Sequence, residues 1–158
     1  LERIKPIRSI MPECGISTDV ISGFCGETEQ EHQDTISLMK EVRYDFAYMF
    51  FYSGRPKTLA ARKFEDNVPL EEKKRRLSEI IDVQQEHSHE SNKRAVGKTY
   101  KVLIEGDSKR SSDFQSGRND QNVMCVFPKS SKQAGNYIEI KITDCTSATL
   151  IGELVSES

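Results

Sequence analysis

Two short polar loops hold the residues best suited to bind a small ligand. They read "GFCGETEQEH", from Gly23 to His32, and "YSGRPKT", from Tyr52 to Thr58. Glycine lets a backbone approach a ligand closely, and the planar guanidinium of Arg55 can bind a carboxylate or a phosphate through two hydrogen bonds. Taken singly, the first loop is better explained as a tight turn, and Arg55 is equally well explained as a solvated charge. Two such loops on neighbouring strands would together form one pocket.

The elements around these loops predict that arrangement. Residues 14–24, "CGISTDVISGF", are rich in β-branched residues and bounded by glycines, which indicates a buried strand. Thr28 and Glu31 form a capping box that opens a helix to Val42, and "DFAYMFFY" from Asp45 to Tyr52 is a second apolar strand. Strand, helix and strand at this spacing predict a βαβ unit with a parallel sheet covered on both faces. Because one such unit cannot close a sheet, we expect a longer parent protein to supply the remaining strands from upstream of this chain.

The cysteines do not support a metal site. The chain has four of them, without any CxxC pair or Cys/His ligand spacing, at Cys14, Cys25, Cys125 and Cys145. We therefore predict no metal on this chain, and we interpret Cys25 as a small residue in a turn. The longest apolar run, Phe46–Tyr52, is too short to cross a bilayer. No membrane partner is expected, and a reduced, cytoplasmic protein is the prediction.

A long polar helix is expected over residues 66–96. Asn67 can cap it, Pro69 lies in its first turn, and Gly97 ends it. The basic run Lys73–Arg76 is predicted to be a solvated face of this helix, with an RNA contact as the alternative. The three histidines are likewise expected on helix surfaces, at His32, His87 and His89.

After Gly97 the hydrophobic period changes to two, which indicates β-strands. Inward positions are expected at Tyr100, Val102 and Ile104, and again at Ile138, Ile140 and Ile142. About five strands in roughly 60 residues predict a small antiparallel barrel of the OB kind. The whole chain is thus α/β followed by all-β.

Binding of nucleic acid would need a local patch, because the formal net charge is -2. Charges of both signs balance after Gly97, so a mixed solvated surface is one interpretation of this segment. The other is an RNA-contacting edge, since small barrels bind single strands with cations and stacking aromatics. The residues predicted to form that edge are Lys101, Lys109, Arg110, Phe114 and Arg118.

Two long blocks carry a family resemblance. Residues 17–61, with the motifs GF-x-GET and YS-x-R, resemble the last strands of the radical S-adenosylmethionine barrel of the methylthiotransferases. Residues 67–106, with V-P-x-E-x-K-x-x-R, followed by "SGR", resemble that family's connecting helix and its C-terminal TRAM domain. The similarity covers nearly the whole chain and is greatest to the tRNA branch.

The resemblance implies a function for the intact parent. That enzyme would add a methylthio group to C2 of N6-isopentenyladenosine beside the anticodon, using S-adenosylmethionine and two [4Fe-4S] clusters bound by upstream domains of the same polypeptide. This chain alone is expected to bind no cofactor and to be inactive. Its partner would be the tRNA anticodon stem-loop, and not DNA.

The resemblance also assigns residues and boundaries. Asp19, Gly23, Glu27 and Arg55 would lie on the S-adenosylmethionine side of the barrel. Residues 1–65 would be the barrel remnant, 66–96 the connecting helix and 97–158 the TRAM domain. Cys25 replaces a common Pro, and Lys57 replaces a common Gly whose φ is often positive.

Two alternative functions follow from the same sequence. One is the sister methylthiotransferase that modifies an aspartate of a ribosomal protein, and the other is a stand-alone RNA-binding module.

Overall fold

The structure is a computed structural model that describes residues 1–155, so the last three residues of the predicted 97–158 domain lie outside the described residues. It has four helices and seven strands in the described part of the chain. In chain order they are α1 (Ile4–Ile10), β1 (Ser17–Ser22), α2 (Glu29–Val42), β2 (Phe46–Phe51), α3 (Leu59–Lys63), α4 (Leu70–Lys93), β3 (Thr99–Ser108), β4 (Ser111–Arg118), β5 (Met124–Pro128), β6 (Tyr137–Cys145) and β7 (Thr149–Leu154). These elements form two compact units, the first made of Leu1–Pro6 and Ile16–His87, the second of Ile7–Gly15 and Ser88–Ser158.

The first unit contains the predicted βαβ arrangement. Strands β1 and β2 pair in parallel, from Ser17 opposite Phe46 to Ser22 opposite Phe51. Helix α2 between them begins after Thr28, whose hydroxyl and the Glu31 carboxylate form the capping box in both directions. The predicted parallel pair and the predicted cap are therefore confirmed.

One face of this two-stranded sheet is covered and the other is open. Ile36, Met39 and Ile80 form the small core with which Val20 and Met49 pack. On the opposite face Ile21, Tyr48 and Phe50 are 56%, 56% and 58% exposed. Within residues 1–155 the sheet is thus covered on one face only, and a sheet covered on both faces stays a prediction for the longer parent.

Helix α4 begins at Leu70, directly after Pro69. Asn67, predicted as its cap, instead accepts a hydrogen bond at Oδ1 from the Gly26 backbone N–H, at 2.7 Å. Asn67 therefore supports the loop after β1, and the predicted capping role is wrong. Gly97 follows the helix with a φ of +88°, which suits its predicted role as a stop.

The second unit is a closed barrel with strand order β3-β4-β5-β7-β6. Every pair is antiparallel except β5 with β7, which run parallel. The predicted inward residues Val102, Ile104, Ile140 and Ile142 are at most 1% exposed, whereas Tyr100 and Ile138 are partly buried at the edge of the core. The barrel prediction is confirmed, with one parallel pair in place of a wholly antiparallel barrel.

The close packing of β3 against β4 requires glycine at position 117, in the "SGR" segment. A Cβ there would lie 2.1 Å from the Leu103 carbonyl oxygen. Strands β3 and β4 can therefore approach each other only because residue 117 has no side chain.

No helix within the described range, residues 1–155, is long and apolar enough to span a bilayer.

Candidate ligand loops and RNA-binding surface

The loop after β1 is held by its own acidic residue. Gly23 has a φ of +67°, and a Cβ there would lie 2.4 Å from Lys73 Cγ, so only glycine fits. The Gly23 N–H donates to Glu27 Oε2 at 2.6 Å. Two of the four predicted cofactor-side residues are therefore in direct contact.

Helix α4 fixes this loop through a buried arginine. Arg76, 5% exposed, donates from Nη1 to both the Glu27 carboxylate and the Glu27 backbone carbonyl, at 2.9 Å each. Its Nε donates to Glu72 at 3.1 Å. The Glu27 carboxylate is thus occupied by Gly23 and Arg76, which makes it a residue that shapes the loop.

A buried lysine from the same helix lies under both loops. Lys73, 4% exposed, donates from Nζ to Asp66 at 2.5 Å and to the Tyr52 carbonyl at 3.3 Å. The prediction that Lys73–Arg76 is a solvated face is therefore wrong for Lys73 and Arg76. It is wrong because acceptors outside the helix, namely Tyr52, Asp66 and Glu27, bind these two side chains, and helical periodicity gives no signal of such contacts.

The two loops lie side by side. The Tyr52 N–H donates to the Ser22 carbonyl at 2.8 Å, and the Phe24 and Tyr52 rings make an edge-to-face contact with centroids 4.9 Å apart. In the second loop, the Thr58 hydroxyl donates to the Arg55 carbonyl at 2.8 Å.

The other two predicted cofactor-side residues are exposed. Asp19 lies on the open face of the sheet with Ile21 and Tyr48, and the Arg55 side chain points from the second loop into solvent. Both are available to a ligand, whereas Gly23 and Glu27 contact each other. Lys57, next to this loop's centre, has a φ of +72°, so it keeps the left-handed backbone that a glycine would adopt there.

His32 and His87 are buried, which corrects the expectation of surface histidines. His32 is fully buried with Nε2 2.7 Å from Glu79 Oε2, and burial lowers the pKa of His87. Glu29, His32 and Glu79 bring three potential metal-ligand atoms within 4.8 Å of one another. Arg75 forms ion pairs with both of these glutamates, so a guanidinium already balances their charge.

The five predicted RNA-binding residues occupy two ends of the β3–β4 hairpin. Lys101 lies near the start of β3, and Arg118 at the end of β4 faces Leu103 in the register. Arg118 is engaged within the chain, with Nε 3.1 Å from Glu105 and Nη1 donating to the Asn122 carbonyl. Lys109 and Arg110 form the turn between the two strands, and Phe114 lies within β4, opposite Pro128 of β5. Phe114 is 39% exposed, so it is not a core residue.

A groove of about 900 Å³ opens on the barrel beside Lys101. Its polar and aromatic lining comprises Lys101, Lys129, Ser130, Ser131, Lys132, Tyr137 and Glu139. Sequence reasoning did not single out Lys129, Lys132 and Tyr137, because these residues lie outside the segment in which the cationic edge was predicted. Two lysines three residues apart, followed by a tyrosine, are the signal that could have revealed them.

Comparison with known proteins defines the class of this barrel. Residues 93–155 match the TRAM domain family, and the barrel is therefore a TRAM domain.

The whole chain matches larger proteins that carry one name. It is 55% identical over 155 residues to the tRNA-2-methylthio-N(6)-dimethylallyladenosine synthase of Amoebophilus asiaticus, covering 98% of this chain and 32% of that protein. It is 55% identical over 152 residues to the protein of that name from Chloroherpeton thalassium, covering 96% of this chain and 34% of that protein. The chain spans about a third of the length of the curated relatives that it matches. The chain is thus similar to the C-terminal region of these tRNA methylthiotransferases, and the part that forms the barrel matches the TRAM domain family.

Proposed function

We propose that this chain is the C-terminal part of a radical S-adenosylmethionine tRNA methylthiotransferase. The observation that carries the proposal is the identity above half over nearly the entire chain. The intact enzyme would add a methylthio group to C2 of N6-isopentenyladenosine next to the anticodon. The names of the relatives favour this substrate over an aspartate of a ribosomal protein. A tRNA substrate also favours a cytoplasmic location.

On this proposal, the open sheet face belongs to a larger barrel. The exposed Ile21, Tyr48 and Phe50 are apolar side chains that further parallel strands and a bound ligand would cover. Residues 1–65 would then form the last part of the radical S-adenosylmethionine barrel. Residues 66–96 would connect this barrel to the TRAM domain, and residues 97–158 would bind RNA.

The cofactor-side residues divide into two roles. Asp19 and Arg55 fit the ammonium and carboxylate groups of S-adenosylmethionine, because an exposed carboxylate and an exposed guanidinium complement those charges. Gly23 and Glu27 form the loop wall, and Arg76 holds it. S-adenosylmethionine and its cluster supply the radical chemistry when bound.

The cysteines of this chain do not fit the clusters. Cys125 is fully buried in the barrel core, and burial raises the pKa of its thiol to about 12. We therefore assign both clusters to the remainder of the parent protein.

The substrate is tested with the full-length parent. Expressed in cells whose tRNA retains unmodified N6-isopentenyladenosine, it should produce the methylthio derivative in tRNA hydrolysates analysed by mass spectrometry. The Arg55→Ala variant should lose most of this product while keeping its melting temperature, because Arg55 is exposed. Unmodified tRNA beside a methylthiolated ribosomal protein would establish the sister activity instead.

RNA binding is tested on the 158-residue chain with an anticodon stem-loop. Affinity should fall as salt rises, and each phosphate contact removed among Lys109 and Arg110 should lower the salt slope by about one. Phe114→Ala should weaken binding by roughly 1–3 kcal/mol if a loop base stacks there. Lys141→Ala, an exposed lysine on β6 outside the groove, is the charge-matched control. Absence of binding at every ionic strength would contradict an RNA-binding role for the barrel.

A further inference from the structure

We propose that the groove beside Tyr137 binds an unpaired nucleotide of RNA, with its base on the Tyr137 ring and its flanking phosphates at Lys129 and Lys132. The proposal rests on the proposed RNA-binding function and assigns it a location that differs from the hairpin turn at Lys109 and Arg110.

Tyr137 has the properties of a stacking platform. It is 51% exposed at the start of β6, and Lys101 Nζ lies 4.5 Å from its ring centroid. The cation–π contact holds the ring and places a positive charge beside it. Apolar side chains of Ile138 and Leu154 line the same groove, so they would shield further surface of a bound base from water.

A buried glutamine holds the loop after β5, which carries Lys129 and Lys132. Gln115 is 4% exposed, and its Nε2 donates to the Lys132 carbonyl at 2.8 Å. Its Oε1 accepts from the Ser130 N–H at 3.0 Å and from the Ser130 hydroxyl at 2.8 Å. These three hydrogen bonds fix the backbone of residues 130–132. The side chains of Lys129 and Lys132 therefore extend from a loop whose position is defined.

The charge of the groove suits a phosphate. Three lysines and one glutamate line it, namely Lys101, Lys129, Lys132 and Glu139. Lys129 is paired with Asp107 at 3.0 Å, but both side chains are about half exposed, so a phosphate can compete for the ammonium. Cations with an exposed aromatic ring and apolar walls are the combination used to bind single strands.

The occupant must be single-stranded because the ring needs an open base face. In a duplex both faces of a base are covered by its neighbours, whereas an unpaired base can place one face on an aromatic side chain. The groove therefore distinguishes a loop or an end from a stem.

The test uses the 158-residue chain and a six-nucleotide oligouridylate that contains one 2-aminopurine. Binding should quench the 2-aminopurine fluorescence, since its base would stack on Tyr137. Tyr137→Ala should weaken affinity roughly 5- to 150-fold and abolish the quench, while Tyr137→Phe, which keeps the ring, should stay within about twofold. Lys129→Ala should weaken binding and lower the salt slope by about one, whereas Lys141→Ala should do neither.

The outcomes separate this proposal from the function on which it rests. Binding that survives Tyr137→Ala and is lost on changing Lys109 and Arg110 overturns the groove and leaves RNA binding intact. Equal affinity for a fully paired RNA hairpin stem also overturns it. If neither the oligouridylate nor an anticodon stem-loop binds, RNA binding by the barrel itself fails.

Discussion

Lys57 holds a backbone conformation that favours glycine. Its φ of +72° lies in the left-handed region, where an L side chain costs roughly 1–2 kcal/mol. Lys57→Gly should therefore raise the free energy of unfolding by up to about 1 kcal/mol, after the larger entropy of glycine in the unfolded chain is counted. The same change at Lys74, inside α4, should lower it by about 1 kcal/mol. Urea denaturation measures both, and equal signs would contradict the assignment of strain.

Arg76 and Arg75 are neighbours with opposite environments. Arg76 is buried against Glu27, whereas the Arg75 side chain is 42% exposed. Arg76→Ala should destabilise the chain by about 3–5 kcal/mol, because the Glu27 carboxylate, only 13% exposed, would lose the guanidinium that balances its charge. Arg75→Ala should have a smaller effect, since water can replace an exposed guanidinium. Comparable shifts of the urea midpoint for the two variants would contradict the buried ion pair.

At the level of single residues, the sequence predicts which residue types could bind a ligand, but it does not predict which residues contact one another in the fold. The strand-end glycines and Arg55 were recognisable from their loops. The burial of Arg76 and His32 was not, because Glu27 and Glu79 lie 49 and 47 positions away in the chain. A charged residue on a helix is ordinarily solvated, and only the tertiary contact reverses that expectation.

Among the elements, α4 has two carboxylates whose protonation should control stability: Glu72 bonds within the helix, and Glu79 links it to α2 through His32. Hydrogen bonds from Arg75 lower the pKa of Glu72 to about 2, and a hydrogen bond with His32 lowers the pKa of Glu79. Below the ordinary value of 4.5 the unfolded chain binds more protons than the folded one. The free energy of unfolding should therefore fall as the pH drops from about 5 towards 2.

The variant Glu72→Gln measures this contribution, because glutamine cannot titrate. Urea denaturation across that pH range should show a shallower loss of stability for Glu72→Gln than for the unchanged chain. Glu71→Gln, one residue earlier in α4 and paired with Lys74, is the matched control. Parallel pH profiles for all three proteins would contradict the role of Glu72.

Local patterns were sufficient for most elements. The capping box at Thr28 and the period-two runs of β3 and β6 are short-range signals, and they placed those elements correctly. The groove could not be predicted in the same way. Its residues come from β3, from the loop after β5 and from β6, and barrel closure alone brings them together.

For the whole molecule, the distribution of cysteines predicts that the chain by itself holds no iron–sulfur cluster. Cys125 is inside the barrel, and burial also raises the pKa of Cys145. Cys25 belongs to the first compact unit and Cys14 to the second. Clusters need several thiolates at one point. Anaerobic incubation with iron and sulfide should leave neither stoichiometric iron nor visible charge-transfer absorption. Stoichiometric iron that is lost in Cys25→Ser would contradict this prediction.

The open two-stranded sheet of the first unit has a consequence for self-association. Strand β2 reads "FAYMFF", six residues without charge, proline or glycine, and the described sheet pairs it only with β1. Its other backbone edge can therefore hydrogen-bond to a strand of a second molecule. Short uncharged segments of high β-propensity are also those that stack into cross-β fibrils. The barrel has no such free edge, because its five strands close on themselves. Concentrated solutions of the 158-residue chain should therefore aggregate through β2, and a charged residue in place of Tyr48 would suppress fibril growth.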